Sequence, residues 1–129
     1  MRNVFLLASI IFLAETKGFG QATIVITNPS AFERNEEVVA IPWADVISAY
    51  PDIDTTAFLV MNIVTIKQLP YQLEYRGTKK VQNLLLLVSM PAKSKMVLQI
   101  KKGKPAIFLA KTYCRYVPER KEDFAWEND

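Results

Sequence analysis

The chain has 129 residues, of which 50% are hydrophobic and 22% are charged, and its formal net charge is +3. These values are typical of one globular domain with a single core. The absence of histidine and the presence of only one cysteine, Cys114, exclude histidine-based triads, histidine-ligated metals, cysteine-cluster zinc sites and internal disulfides. We therefore expect no metal and no cofactor. The basic residues are scattered, apart from short runs at 79–80 and 101–104, so we expect no nucleic-acid partner.

Residues 1–22 have the layout of a secretory signal peptide. Arg2 precedes an apolar run over 4–14 that is too short for a permanent membrane anchor, and the small residues Gly20 and Ala22 mark a cleavage site. We predict cleavage after Ala22 and export to the periplasm or the extracellular space. A buried first helix is the disfavoured alternative, because a two-residue periodicity begins abruptly at Thr23.

The first strands of the exported chain are short. Residues 23–27 are β-branched or apolar, and the turn residues at 28–30 follow them. Residues 37–41 predict a second strand, which Pro42 ends because proline cannot donate to a β-ladder. Two strands in so short a stretch are typical of β-sandwiches and β-barrels.

One short helix is predicted at 43–50. A single helical face would hold its four large residues, which are Trp43, Val46, Ile47 and Tyr50. A helix of about two turns has little stability of its own, so we expect a local cap on the β-domain. Asp52 and Asp54 follow in a loop, but the remaining ligands and the glycine of a calcium-binding loop are missing.

The middle of the chain continues the β pattern. Residues 57–61 are continuously apolar, which predicts a strand covered on both faces. Strands at 66–69 and 71–75 flank Pro70, and the second alternates apolar and polar residues. A turn at 76–80 contains a glycine suited to positive φ angles.

The last two strands of the domain are predicted at 84–88 and 95–101. The first is the most hydrophobic run of the exported chain, and we expect it to be the central core strand. The second alternates Met96, Leu98 and Ile100 with more polar residues, and we expect it to pair with 84–88 as an antiparallel hairpin. The sequence thus predicts an all-β fold, a small antiparallel β-sandwich over 23–104.

The C-terminal residues 113–129 carry a long motif rich in aromatic and charged residues, Tyr-Cys-Arg-Tyr-Val-Pro-Glu-Arg-Lys-Glu-Asp-Phe-Ala-Trp-Glu-Asn-Asp. Together with 24–32, 41–45 and 69–73, this motif resembles the secreted bacterial domain-of-unknown-function family four-eight-six-one. The family signature is similar to Tyr-Gly-Arg-Tyr-Val-Pro-Glu-Arg-Lys-Asp-Asp-Phe-Ala-Trp-Glu-Asn-Asp. Cys114 stands where that signature has glycine, so a backbone geometry that glycine tolerates would be strained here.

The resemblance implies a setting and a longer parent protein. Members of the family are usually encoded beside enzymes that degrade pectin and other polysaccharides, and they continue past this motif into a larger β-rich portion. The chain therefore resembles a truncated N-terminal part, in which 105–129 forms a junction leading to a missing C-terminal domain of the same protein. That domain and a carbohydrate are the partners that the resemblance implies.

Three interpretations of the C-terminal motif stay open: a catalytic carbohydrate site, carbohydrate contact without catalysis, and a domain-junction clamp. As a carbohydrate site, it would use Tyr116 and Trp126 to stack on sugar rings and Arg115 and Arg120 to hold a uronate carboxylate. Tyr116, Glu119 and Arg120 would then be the catalytic candidates of a glycoside hydrolase or polysaccharide lyase. As a domain-junction clamp, the same aromatic and charged residues would be buried against the next domain.

The prediction that combines these points is an exported accessory β-sandwich domain of a polysaccharide-utilisation protein, non-catalytic in this short form. The alternative is a fragment of a carbohydrate-active enzyme acting on uronate-containing polysaccharide. In either case the short chain is expected to be inactive by itself.

Overall fold

The computed structural model describes residues 20–109 and the backbone of two further strands at 112–116 and 124–128. It confirms the all-β prediction and the single short helix, and a strand occupies each of the seven segments predicted for the sandwich. The elements are β1 Gln21–Asn28, β2 Arg34–Pro42, α1 Trp43–Ala49, β3 Phe58–Asn62, β4 Lys67–Gln68, β5 Tyr71–Glu74, β6 Asn83–Met90, β7 Ser94–Lys102, β8 Thr112–Tyr116 and β9 Phe124–Asn128.

Two antiparallel sheets form the sandwich. Sheet A has the strand order β1-β7-β3-β4, and sheet B has the order β2-β6-β5. The inward residues of both sheets belong to one buried cluster, as the two-residue periodicity of the strands requires. The largest contributions come from Ile24, Ile26, Phe58, Leu98 and Ile100 of sheet A and from Ile41, Leu84 and Leu86 of sheet B.

The predicted hairpin of the strands at 84–88 and 95–101 is wrong. Although β6 and β7 are consecutive, β6 pairs with β2 and β5, whereas β7 pairs with β1 and β3. The connection crosses from one sheet to the other at Lys93, which has a φ of 52° and donates its backbone N–H to the Ser30 oxygen at 3.0 Å. Alternating hydrophobicity assigned the buried face of 95–101 correctly, but it does not specify which strands become neighbours.

Helix α1 directly follows β2 and contacts β1, β2 and β6. Trp43, Val46 and Tyr50 are buried in the core, as predicted, but Ile47 is 43% exposed and does not share that face. A residue directly after Val46 lies about 100° around the helix, and a helix this short has room for one narrow contact stripe. The Trp43 backbone N–H donates to the Gln82 oxygen at 2.9 Å, which fixes the helix to the start of β6.

The aromatic centre of the core joins the helix and both sheets. Phe58 of β3 lies between Trp43 of α1 and Tyr71 of β5, with ring centroids at 6.2 Å and 4.4 Å respectively. Phe58 is fully buried. Leu59 and Val60 are buried as well, so the prediction of a strand covered on both faces is confirmed for 58–60.

The predicted turn after β5 has left-handed backbone at Arg76 and Gly77, with φ values of 46° and 73°. Glycine adopts this conformation without a steric penalty, so the glycine prediction is confirmed.

The two chain ends are described only in part. Most of the predicted signal peptide falls on residues 1–19, outside the described residues, and its cleavage stays a prediction. Strand β1 begins at Gln21, and Ala22 is buried in the core. The described helix is too short to cross a membrane. Strands β8 and β9 pair antiparallel as a separate two-stranded sheet, and the turn predicted at Val117 and Pro118 lies outside the described residues.

Candidate functional site

The outer face of sheet B carries an apolar groove of about 210 Å³. Its floor is formed where the three strands of the sheet align: Val38 lies opposite Leu87, and Gln72 lies opposite Leu85. The Leu87 backbone N–H donates to the Pro70 oxygen at 3.3 Å, which extends the ladder to the residue before β5. The groove is lined by Val38, Pro70, Tyr71, Gln72, Leu85, Leu86 and Leu87.

This groove results from the unbroken apolar run of β6. Because side chains alternate along a strand, Leu84 and Leu86 face the core and are fully buried, while Leu85 and Leu87 face outward and are half-buried. Val38 beside them is 62% exposed. A strand with aliphatic residues on both faces is typical of a sheet that is covered on both sides.

The groove has few polar groups. Gln72 is the polar side chain of the lining, and the Tyr71 hydroxyl donates to the Phe58 backbone oxygen at 2.8 Å. Burial raises the pKa of Tyr71, which keeps its hydroxyl protonated as a donor into the core. Sugar binding needs aromatic platforms and several hydrogen-bonding groups, whereas the aliphatic lining here suits hydrophobic side chains of a protein segment.

The segment after β7 is held beside β4, an edge strand of sheet A. The Ala106 backbone N–H donates to the Gln68 side-chain oxygen at 2.8 Å, and Gln68 is two residues before Pro70. The next residues are strongly exposed and apolar: Ile107 is 96% exposed and Leu109 is 93% exposed. The hydrogen bond at Ala106 therefore holds the start of this exposed apolar segment beside β4, close in sequence to Pro70 of the groove.

The described acidic side chains with shifted pKa values have local partners. The Asp54 carboxylate accepts hydrogen bonds from the Thr56 hydroxyl and backbone N–H at 2.7 and 2.8 Å, and its pKa is lowered mainly by the hydroxyl contact. The Glu74 carboxylate accepts a hydrogen bond from the Asn83 side chain and forms an ion pair with Arg76. Both contacts lower the pKa of Glu74, and the hydrogen bond from Asn83 has the larger effect. Over the described part of the chain, no group of three or more acidic or cysteine side chains is placed to hold a metal ion.

Three of the four predicted carbohydrate-binding residues, Arg115, Tyr116 and Trp126, fall on strands β8 and β9. Cys114 lies opposite Trp126, and Tyr116 lies opposite Phe124. Since directly opposite residues share a face of the ladder, as do positions two apart, Tyr116 and Trp126 are on one face of the hairpin. Arg115, opposite Ala125, is on the other face.

The remaining catalytic and carbohydrate candidates, Glu119 and Arg120, lie outside the described residues. The roles assigned to Arg115, Tyr116, Glu119, Arg120 and Trp126 stay predictions. Sequence reasoning missed the groove on sheet B. Its signal was present in Leu85 and Leu87, because a fully apolar strand in a two-layer sandwich presents half of its side chains to the outside.

The fold and the groove define a small antiparallel β-sandwich domain with an apolar outer face. Residues 26–129 match the family described as Domain of unknown function (DUF4861). The chain belongs to this family, as its C-terminal motif indicated. No curated protein and no solved structure matches it.

Proposed function

We propose that this chain is a non-catalytic accessory domain, whose outer sheet B face holds the C-terminal segment of the same polypeptide, from Ile107 onward. In this arrangement the sandwich supports the part of the protein that follows it. The protein is exported and takes part in polysaccharide utilisation, which rests on the N-terminal segment and on the family resemblance.

The apolar groove lined by Val38, Leu85 and Leu87 is the observation that carries this proposal. Exposed aliphatic patches on a folded surface mark contacts with other protein segments. The C-terminal segment is the best-placed occupant, because the Ala106 to Gln68 hydrogen bond holds its start beside β4. Ile107 and Leu109 supply the aliphatic side chains that such a groove would bury.

Amide hydrogen exchange of residues 107–128 tests the docking. We expect slow exchange in the unaltered chain, and at least about tenfold faster exchange in Leu87→Thr, because losing one buried aliphatic contact costs more than 1 kcal/mol. Val97→Thr is the matched control: Val97 is half-buried on a central strand, β7, at a position that faces outward from sheet A. Fast exchange of this segment in the unaltered chain, or an equal effect of both substitutions, would refute the docking.

A second candidate function is favoured by the hairpin register. Tyr116, Phe124 and Trp126 share one face of the β8–β9 ladder, and a row of aromatic rings is a common platform for sugars. The chain would then be the fragment of a carbohydrate-active enzyme, a glycoside hydrolase or a polysaccharide lyase.

Calorimetric titration and turnover assays with a panel of uronate-containing oligosaccharides separate these functions. The accessory domain gives no turnover, whereas the enzyme fragment gives binding heat that Trp126→Ala abolishes. In a full-length relative, turnover that is lost in the substitution equivalent to Glu119→Gln, with an unchanged melting temperature, would replace our proposal by the catalytic one.

A further inference from the structure

Among the described residues, strand β1 is an edge strand of sheet A whose outer side pairs with no other strand. In the order β1-β7-β3-β4 its single neighbour is β7. Among the described residues, its backbone makes hydrogen bonds only within that pairing. The strand has the sequence Gln-Ala-Thr-Ile-Val-Ile-Thr-Asn, which contains no charge and no proline, and its eight pairs with β7 run without a register shift.

The other three edges of the described sandwich are protected. Strand β4 has two residues and β5 has four, preceded by Pro70. Strand β2 carries Arg34 and Glu37 and a register shift between them, with Glu36 at a φ of 52°. Short strands, charges, proline and bulges are the devices by which proteins prevent edge-to-edge association. Their absence from β1 alone indicates that this edge is paired in the functional protein.

We infer that β1 pairs antiparallel with β1 of a second copy of this chain, which joins two copies of sheet A into one continuous sheet. The sequence is self-complementary around Val25. If Val25 lies opposite its own symmetry mate, Thr23 lies opposite Thr27 and Ile24 lies opposite Ile26. Each of these pairs is favourable across antiparallel strands, and no like charges are brought together.

This pairing ends at a dimer. In the described sandwich β1 is the one edge without these devices, and a two-fold axis uses that edge in both copies at once, so this contact is closed and does not itself propagate into a filament. The buried faces are also in register, since Ile24 and Ile26 are both core residues. The paired residues 23–27 lie after the predicted cleavage at Ala22, so processing leaves the contact intact.

Sedimentation equilibrium of the purified chain over a concentration series tests this inference. We expect a monomer and dimer in exchange. Val25→Lys places two lysines opposite each other at the symmetry axis, and the association should weaken at least about tenfold. Val97→Lys is the matched control, since Val97 is the pairing partner of Val25 on the adjacent, central strand and receives the same substitution away from the edge.

The inference is supported if Val25→Lys is monomeric while Val97→Lys still dimerises, with both variants folded by circular dichroism. It is overturned if the unaltered chain is monomeric at all concentrations, or if both substitutions weaken association equally. Protection of the β1 amides in a monomer would also overturn it, because another segment of the chain would then cover the edge. None of these outcomes depends on where residues 107–128 dock.

Discussion

The hydroxyl of Tyr71 in sheet B donates a hydrogen bond to the backbone oxygen of Phe58 in sheet A at 2.8 Å, while the two rings stack with their centroids 4.4 Å apart. One residue pair therefore joins the two layers by a polar and an apolar contact. Tyr71 also contributes to the groove on the outer face. The pair connects the surface proposed for docking to the centre of the core.

Tyr71→Phe should lower the free energy of unfolding by about 1 kcal/mol, because the ring stack stays and one hydrogen bond is lost. Burial raises the pKa of Tyr71, so its contribution is present below the unfolded tyrosine pKa of about 10 and is lost as the pH rises through the raised folded pKa. Urea denaturation at pH 8 and pH 11 measures both effects. An unchanged alkaline loss of stability in Tyr71→Phe would contradict this role.

Asn28 is fully buried at the end of β1. Its side-chain amide donates to the backbone oxygens of Phe32 and Pro91 at 3.0 and 2.8 Å, and its side-chain oxygen accepts from the Ser30 N–H at 3.1 Å. Asn28→Ala should cost about 2 to 3 kcal/mol of unfolding free energy, because buried backbone groups lose their partners. Ser30→Ala, which removes an exposed contact to Phe32, is the control and should cost well under half as much.

The lowered pKa of Glu74 makes the stability of the protein depend on pH, and this dependence can be assigned mainly to one hydrogen bond. Its pKa is lowered first by the hydrogen bond from Asn83 and then by Arg76. Asn83→Ala should therefore move the pKa of Glu74 toward its ordinary value more than Arg76→Ala does. The stability from these contacts is present above the unfolded carboxyl pKa and is lost as the pH falls through the lowered folded pKa.

Carbon-detected NMR titration of the Glu74 carboxyl measures this shift directly. If Arg76→Ala shifted the pKa of Glu74 more than Asn83→Ala did, the exposed arginine, rather than the amide donor, would be the main cause of the lowered pKa. Asp54 serves as an internal reference, since its pKa depends mainly on Thr56 and should not change in either variant.

Ile66 occupies an unfavourable backbone conformation. Its φ is 56° in the turn between β3 and β4, where a β-branched residue is strained, and its side chain is 68% exposed. Ile66→Asn should raise the free energy of unfolding by about 1 kcal/mol, because asparagine tolerates left-handed backbone. Thermal denaturation compares it with Ile63→Asn, which changes the same residue type in the same turn without relieving strain and should bring no gain.

The strands could be predicted from the sequence because each follows a local rule. Alternation assigned the buried face of 95–101, and Pro42 ended β2 at the predicted residue. The pairing of β6 with β7 was wrong, since neighbours in a sheet are chosen by the whole core and not by either strand alone. Ile47 was assigned to the buried helical face because residue spacing gives the angular position of a side chain around the helix. Spacing does not give the width of the helix surface that contacts the core, and Ile47 lies outside that surface.

The candidate sites, like the strand pairing, could be predicted only in part from local sequence rules. The aliphatic residues Leu85 and Leu87 are visible in the sequence, but their outward position follows from which face of sheet B meets the core. On the C-terminal motif, the sequence grouped Arg115 with Tyr116 and Trp126. In the register of β8 and β9, Arg115 lies opposite Ala125 and Tyr116 lies opposite Phe124, and the roles of these residues stay predictions.

The position of β1 beside β7 affects how the protein is made. Gln21 lies opposite Lys101, and Asn28 lies opposite Ser94. The first strand of the sandwich therefore cannot form its native pairs until the last strand has been synthesised. Contacts between distant parts of a chain form slowly, whereas β5 and β6 are close in sequence and can pair early. Any chain that ends before Ser94 leaves β1 without its native neighbour. Sheet A is therefore complete only once β7 has joined β1 to β3.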